Sequence, residues 1–561
     1  MNISAAAPWV NFYGNTPAHI DYPDTTIYQQ VRFAAETWPS NIAYTFQGKK
    51  TSFAAFLNCI EEASKGLYSL GIRKGDRVTI CMPNSPQALD CFYGLNRIGA
   101  VANMIHPLSA AGEIEFYLNL SQSKAILTLD QFYDKVSSVC PADCRILVAK
   151  IADELPFPLN LLYPMTKAGR HRLPKTGYTL WKSIVGADVT LPEHDGKADD
   201  CAAILYSGGT TGTSKGIMLS NRNLNALGLQ TIAASGFGRI DGMKMLSIMP
   251  IFHGFGLGVG IHTAIIGGAT CILVPQFSVK IYADVLKKQK PNLIPGVPTL
   301  FEALLRADGL EDLDLSFLKG IFAGGDSLSV ELKKKVDEFL KAHHCAEQIR
   351  EGYGATECVA ASCLTPREYA RTGSIGVPFP DTYYKIVKVG TTDEVAPETE
   401  GEICVSGPTV MLGYMNNPEE TAQALRRHAD GKLWLHTGDL GKMDADGFVY
   451  FKQRLKRMIV SSGYNIYPSQ LENIIDGHEK VHLSCVIGVK DAYRGQKIKA
   501  FIVPAPGIEP SQALKQEILE YCSRYIAKFA MPREIEFRKE LPKTLVGKVA
   551  YRVLEEEERC E

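Results

Sequence analysis

The chain has almost no surplus of charge: 60 lysines and arginines face 61 aspartates and glutamates over 561 residues, a formal net charge of −1. Without a global basic field there is no footprint for nucleic acid, and that class of partner is excluded. Residues 1–14 lack the basic start and the long apolar run of a secretory signal. The fourteen cysteines form no framework; they are scattered, and most sit inside apolar segments, as Cys81 does in V-T-I-C-M. They read as reduced, buried thiols of a cytosolic protein. Cys140 with Cys144, and the run His343-His344-Cys345, are metal-ligand types, but neither has a second pair at zinc-site spacing, so both read as coincidence. Between Lys244 and Lys280 there is no Asp, Glu, Lys or Arg at all. Length alone would suggest a membrane span there. Pro250, Pro275, His253, His262 and recurring glycines break the stretch up, and it reads instead as a buried strand, loop, helix and strand.

Hydrophobic residues make up 45% of the chain, as in an ordinary soluble protein, and 561 residues exceed one core, so at least two domains are expected. Apolar residues recur at helical spacing in 27–37 and in 53–70, through Phe56, Ile60, Ala63, Leu67 and Leu70. Residues 71–85 read as a turn into a short buried strand. A helix at 87–98, a strand at 101–105, an amphipathic helix at 113–120 and a strand at 124–129 follow. Strand alternating with helix predicts parallel sheets covered by helices, the α/β class. Residues 155–175 break this rhythm: L-P-F-P-L-N-L-L-Y-P leads into Lys167, Arg170, Arg172 and Lys175. We read the stretch as a solvated surface loop joining two subdomains; the alternative is a patch that meets anionic lipid.

Residues 205–219, L-Y-S-G-G-T-T-G-T-S-K-G-I-M-L, organise the rest. An apolar run at 202–205 enters a stretch rich in Gly, Ser and Thr, closed by Lys215 and Gly216. Glycines let backbone N–H groups turn inward, hydroxyls add donors, and the lysine adds a point charge, so the loop suits a polyphosphate. The glycine spacing is not that of G-x-x-x-x-G-K-[ST]. A second signal is G-Y-G-A-T-E at 352–357: Tyr353 offers a flat face for adenine, Thr356 a hydroxyl, and Glu357 a hard oxygen ligand for Mg²⁺. After His253, glycine recurs at Gly254, Gly256, Gly258 and Gly260. Something approaches this backbone closely, either a neighbouring element of the protein or an alkyl chain running past His253.

The loop at 206–216 resembles the phosphate-binding signature of the adenylate-forming (AMP-binding) enzymes. The overall likeness is greatest to bacterial long-chain fatty acyl-CoA ligases, from about Ile27 nearly to the C-terminus. The resemblance implies a large N-terminal α/β domain of helix-covered sheets (1–454) and a small mobile α+β lid (455–561). It implies ATP contacts at Thr210, Thr211, Gly212, Thr213, Ser214, Lys215, Gly325 (in F-A-G-G-D-S-L), Tyr353, Asp439 (in L-H-T-G-D) and Arg454. It implies a catalytic set of Lys548, His253, Thr356 and Glu357, with Glu357 as the metal ligand. His253, Gly254, Gly256 and Gly258 would border the acid, Lys456 would be the hinge, and Gly463 would lie on the CoA path. Two positions depart from the family pattern: Gln453 replaces the usual Gly or Asp, and Arg457 the usual acid.

The implied reaction is activation of a carboxylic acid with ATP, Mg²⁺ and CoA. The segment 248–255 lacks an Asp for an α-amine, and Tyr353-Gly354 stand where acetate-activating relatives place Trp. A medium- or long-chain fatty acid is therefore the first choice. An aryl acid, a carrier-protein acceptor and a non-catalytic acyl-AMP or fatty-acid binding relative are the alternatives. The expected setting is cytoplasmic with peripheral contact to membrane lipid; the oligomeric state stays open.

Overall fold

The alternating strands and helices build two mixed sheets whose central strands run parallel. In this computed structural model, residues 7–166, 169–207, 214–461, 464–491, 494–528, 530–544 and 548–560 are described. One sheet has eight strands, with Arg77–Cys81, Val101–Met104, Ala125–Leu129, Arg145–Ala149 and Cys201–Ser207 parallel at its centre. The other has nine, with Ile42–Phe46, Lys244–Ser247, Thr270–Leu273, Leu293–Gly296, Gly320–Ala323 and Ile349–Tyr353 parallel.

The helices carry the local signals their sequences announce. Thr26 caps Ile27–Thr37 in a capping box with Gln29, and Ser52 caps Phe53–Ser69. On the second helix Phe56, Ile60, Ala63 and Leu67 are all buried, so the expected apolar stripe is the core face. Pro86–Arg97 starts on a proline and is buried from Pro86 through Asn96. It ties the two sheets together: Tyr93 hydrogen-bonds His262 at 3.1 Å, and Asn96 donates to Asn221 at 2.7 Å.

The uncharged stretch after Lys244 forms the strand Lys244–Ser247, a loop, a π-helix at Phe255–His262 continued by Thr263–Ile266, and the strand Thr270–Leu273. Among the described residues no helix is long and apolar enough to cross a membrane. A third, antiparallel sheet of five strands completes the large body, built from Tyr383–Val387, Gly401–Ser406, Leu425–Arg427, Leu433–Met443 and Val449–Arg454. From Ile459 on, a separate five-stranded sheet and its helices enclose their own core around Ile475, Val486, Ile502 and Ile518. The helix Gln512–Ser523 packs on this core through Leu514, Ile518 and Cys522, and Tyr525 beyond it is exposed.

Candidate active site

Parallel strands place their carboxyl ends along one edge, where open α/β sheets bind ligands. The segments leaving those ends converge on a cleft of about 930 Å³ between the large body and the small domain. His253, Gly325, Tyr353, Asp439, Arg454 and Lys548 all line it.

The hairpin strands Cys201–Ser207 and Lys215–Ser220 hold the Gly/Ser/Thr loop at their tip. Thr210, Thr211, Gly212 and Thr213 lie outside the described residues, as does Gly463. Ser214 accepts a hydrogen bond from the Tyr117 hydroxyl at 3.2 Å. The Lys215 ammonium is paired with Glu420 at 2.9 Å and stands 4.8 Å from the Tyr414 ring centre. Tyr414 in turn donates to Glu357 at 3.0 Å. Tyr414 and Glu420 thus join the phosphate loop to the Glu357 turn, and no motif in the sequence pointed to them.

Ile349–Tyr353 ends in a sharp turn that only glycine permits: a Cβ on Gly354 would lie 1.6 Å from the Ala360 carbonyl oxygen. The 3₁₀ turn Thr356–Cys358 follows, and Val359 then adopts φ +67° and ψ −62°. That is the strained γ-turn region, unusual for a β-branched residue; the turn before it sets Thr356 in the cleft wall, while the Glu357 carboxylate faces Tyr414. Glu351, passed over in the sequence, lines the cleft too, and burial pushes its carboxyl up to about 7.

The reading of Gly254, Gly256 and Gly258 as a wall of the acid pocket is corrected by their surroundings. A Cβ on Gly254 would fall 1.6 Å from the Val359 carbonyl oxygen, one on Gly256 2.0 Å from that of Pro250, and one on Gly258 2.5 Å from Leu227 Cδ2. The glycines admit protein, not substrate, and two of them seat the strained Val359. Phe255 and Val259, from the same helix, line an apolar cavity of about 100 Å³ that opens beside His253 and runs toward Met245, Leu293 and Phe322.

His253 is not a satisfied core histidine, as His262 is. The His262 ring is bonded at both nitrogens, to Tyr93 at 3.1 Å and Asn225 at 3.0 Å. In His253, Nδ1 accepts the Phe255 N–H at 3.1 Å, which leaves the proton on Nε2. Burial and the nearby Lys548 ammonium lower its pKa to about 3, so the ring is a neutral donor. Its loop is clamped by Asn84, which donates to the Ser247 and Met249 carbonyls at 2.9 Å and accepts from Ile251 N–H at 2.8 Å. Asn84 is a positioning residue that the sequence reading missed.

Antiparallel pairing sets Asp439 opposite Arg454. Tyr353 donates to Asp439 Oδ2 at 2.6 Å; Oδ1 is buried without a hydrogen-bond partner, 3.5 Å from Arg454 Nε. Burial raises the Asp439 pKa against the opposing pull of Arg454. Lys548 lies beside Gly325 on a turn closed by Thr544, whose N–H donates to the Lys548 carbonyl at 2.7 Å. Desolvation lowers the Lys548 pKa, opposed by Asp326 and Asp439 and reinforced by Arg454.

Lys456 sits in the 3₁₀ turn Leu455–Arg457 between the two bodies. The unusual Arg457 belongs to the small domain: it pairs with Glu472 through its two terminal guanidinium nitrogens and stands 4.8 Å from the Tyr551 ring centre. Gln453 is buried with neither amide atom bonded. Away from the cleft, and among the described residues, Cys404, His428 and His436 bring metal-ligand atoms within 4.8 Å of one another. The two rings already hydrogen-bond each other at 3.0 Å, and Lys385 and Arg426 nearby oppose a dication.

Residues 31–415 match the AMP-binding enzyme family, and residues 470–548 match the AMP-binding enzyme C-terminal domain. The chain belongs to the AMP-binding enzyme family. Within it, the long-chain-fatty-acid–CoA ligase of Bacillus subtilis (strain 168) is 36% identical over 566 residues, covering 98% of each chain. The protein of the same description from Salmonella typhimurium is 31% identical over 572 residues, again with 98% of each covered. Among solved structures, ATP-bound MatB from Rhodopseudomonas palustris matches with a TM-score of 0.82 at 25% identity, covering 95% of this chain and 99% of its own. Mycobacterium tuberculosis fatty acyl CoA synthetase matches at 0.70 and 25%, covering 95% and 98%. The fold is the adenylate-forming one, and the family's C-terminal match ends on Lys548.

Proposed function

We propose that the protein is an ATP-dependent acid–CoA ligase that activates a medium- or long-chain fatty acid as its acyl adenylate and passes the acyl group to CoA. The observation that carries this reading is that Lys548, delivered by the small domain, shares one cleft with His253, Gly325 and the Asp439–Arg454 pair. The relatives named as long-chain-fatty-acid–CoA ligases support it.

The chemistry requires charge handling rather than a protein nucleophile. In the first step a carboxylate oxygen attacks the α-phosphorus of ATP and pyrophosphate leaves. Two anions must meet, and the Lys548 ammonium between them offsets their repulsion in the transition state. His253 donates its Nε2 proton to the acyl carboxylate. The unpartnered Oδ1 of Asp439 is the acceptor for ribose hydroxyls, Arg454 flanks it, and the Tyr353 ring backs adenine. The loop residues Thr210–Lys215 cradle the polyphosphate with N–H and hydroxyl donors. Glu357 and Thr356 present hard oxygens that fit Mg²⁺; that ion, when bound, neutralises phosphate charge. In the second step the CoA thiolate attacks the acyl carbon and AMP leaves. We take Lys456 as the pivot between a body ending at 454 and a lid from 455, with Gly463 on the thiol's path. The setting is cytoplasmic, with the enzyme meeting its acid at a lipid surface.

A second reading, an aryl acid, is favoured by one number. The apolar cavity holds about 100 Å³, below the roughly 300–1,000 Å³ of sites for drug-sized ligands. A long chain therefore requires its walls to part. Pyrophosphate release across a panel of carboxylic acids, with and without CoA, decides between them. The expected result is turnover with medium- and long-chain acids and CoA-dependent release of AMP. Turnover confined to aryl acids supports the second reading. Acyl adenylate that never reaches CoA points to a carrier-protein acceptor, and no pyrophosphate with any acid to a binding protein.

A further inference from the structure

The segment that interrupts the strand–helix rhythm has an unusual surface. Within nine residues, Phe157, Leu159, Leu161, Leu162 and Met165 are all exposed, Phe157 by 80% and Met165 by 69%. Scattered exposed apolar side chains need no explanation, but a contiguous set marks a contact surface. Charge follows at once. No Asp or Glu occurs between Glu154 and Asp188, whereas Lys167, Arg170, Arg172, Lys175 and Lys182 do. Arg170, Arg172 and Lys175 are exposed, and Arg170 donates to the Met165 carbonyl at 3.2 Å, which fastens the basic run to the end of the apolar one. Of the acids bordering the stretch, Glu154 pairs with Lys49 at 3.0 Å and Asp153 with Lys182 at 3.4 Å, which leaves Arg170, Arg172 and Lys175 as the exposed cations beside the apolar run.

Its place in the fold gives this surface a use. It leaves the carboxyl end of Arg145–Ala149, by way of the turn Ile151–Glu154, and returns to the edge strand Thr179–Leu180. Arg145–Ala149 runs parallel, through its neighbours, to Val101–Met104 and Cys201–Ser207. The patch therefore emerges at the sheet edge where Ile105 and His106 line the cleft. An apolar cluster joined to the exposed cations Arg170, Arg172 and Lys175, with Asp130 facing His171 and Tyr163 as the acid brought near by the fold, is complementary to the apolar interior and anionic headgroups of a bilayer.

We propose that residues 157–166 and 169–175 form a docking face for an anionic lipid bilayer, seating the enzyme with its cleft edge toward the membrane in which its acid is dissolved. The proposal rests on the fatty-acid reading for its purpose, but its test does not. Full-length protein is mixed with vesicles of phosphatidylcholine alone, or of an equal mixture with phosphatidylglycerol, without ATP or acid, and bound protein is measured by sedimentation. Binding to the anionic vesicles is expected, weakened by salt, with little binding to phosphatidylcholine alone. Two variants separate the parts: Arg170→Glu/Arg172→Glu/Lys175→Glu removes the charge, and Phe157→Ser/Leu161→Ser/Leu162→Ser the apolar cluster. Each should weaken binding by about 10-fold or more. Melting temperature and turnover of a short, water-soluble acid should stay at wild-type values, and kcat/KM for a long-chain acid supplied in vesicles should fall. Wild-type protein that ignores anionic vesicles, or either variant binding as well as wild type, overturns the proposal. So does an apolar variant that changes only the oligomeric state, which would make the patch a contact between copies of the chain. Vesicle binding by a chain that activates no fatty acid would leave this face standing and reject the ligase reading instead.

Discussion

Asp476 closes the helix Pro468–Asp476 at the wall of the cleft, with one carboxylate oxygen buried and lacking a hydrogen-bond partner. Burial pushes its pKa up to about 8; a hydrogen bond to Ser484 opposes the rise, and Glu472 adds to it. A folded-state pKa above the unfolded one means that the neutral acid is the stabilising form. Its contribution is complete below the ordinary carboxylate range and is lost as pH climbs through about 8. The melting-temperature advantage of Asp476→Asn over wild type should therefore widen by roughly 4 °C or more between pH 5 and pH 9. Parallel melting curves across that window would reject the assignment. At the same scale, His253 and His262 show how much one neighbour decides. Both are depressed to about 3 by burial, yet His262 is bonded at both nitrogens inside the core and His253 keeps a donor in the wall of the cleft.

The π-helix Phe255–His262 is the element that joins packing to chemistry. Its glycines let the Val359 and Pro250 carbonyls approach, which fixes the Glu357 turn and the His253 loop against each other. Gly256→Ala would set a Cβ 2.0 Å from the Pro250 oxygen and 2.4 Å from that of Met249. It should cost about 1–3 kcal/mol of stability and lower kcat/KM for all acids alike. A stable variant with a shifted chain-length preference would restore the channel reading. This element also marks the limit of the sequence. Glycine at alternate positions states that something comes close, but a one-dimensional pattern cannot say whether protein or ligand does. The parallel sheets were legible because strand and helix periods alternate plainly before residue 130, and Asp439 and Arg454 because each stands in a motif. The antiparallel sheet that sets those two opposite each other was not, since its pairing is long-range. Asn84, Tyr414 and Glu420 were not either, because their partners are distant in sequence: Asn84 reaches Ile251, and Tyr414 reaches Glu357.

At the scale of the whole molecule, two bodies meet across a cleft and the segment between them is tied at both ends. Arg454 is paired with Asp439 on the large body, and Arg457 with Glu472 on the small one. Lys456 lies between them in the 3₁₀ turn Leu455–Arg457, and the departure from the family pattern at Arg457 becomes an anchor for the small domain. In this arrangement Lys548 is inside the cleft, close enough to depress the pKa of His253. On the mechanism we propose, this arrangement suits the first half-reaction, and the second requires the small domain to rotate. The most direct measurement is therefore Lys548→Ala assayed in each half-reaction separately. Pyrophosphate release from ATP and fatty acid should fall by about 10²-fold or more, while thioester formation from supplied acyl adenylate and CoA stays close to wild type. Equal loss in both halves, or none in the first, would contradict the account.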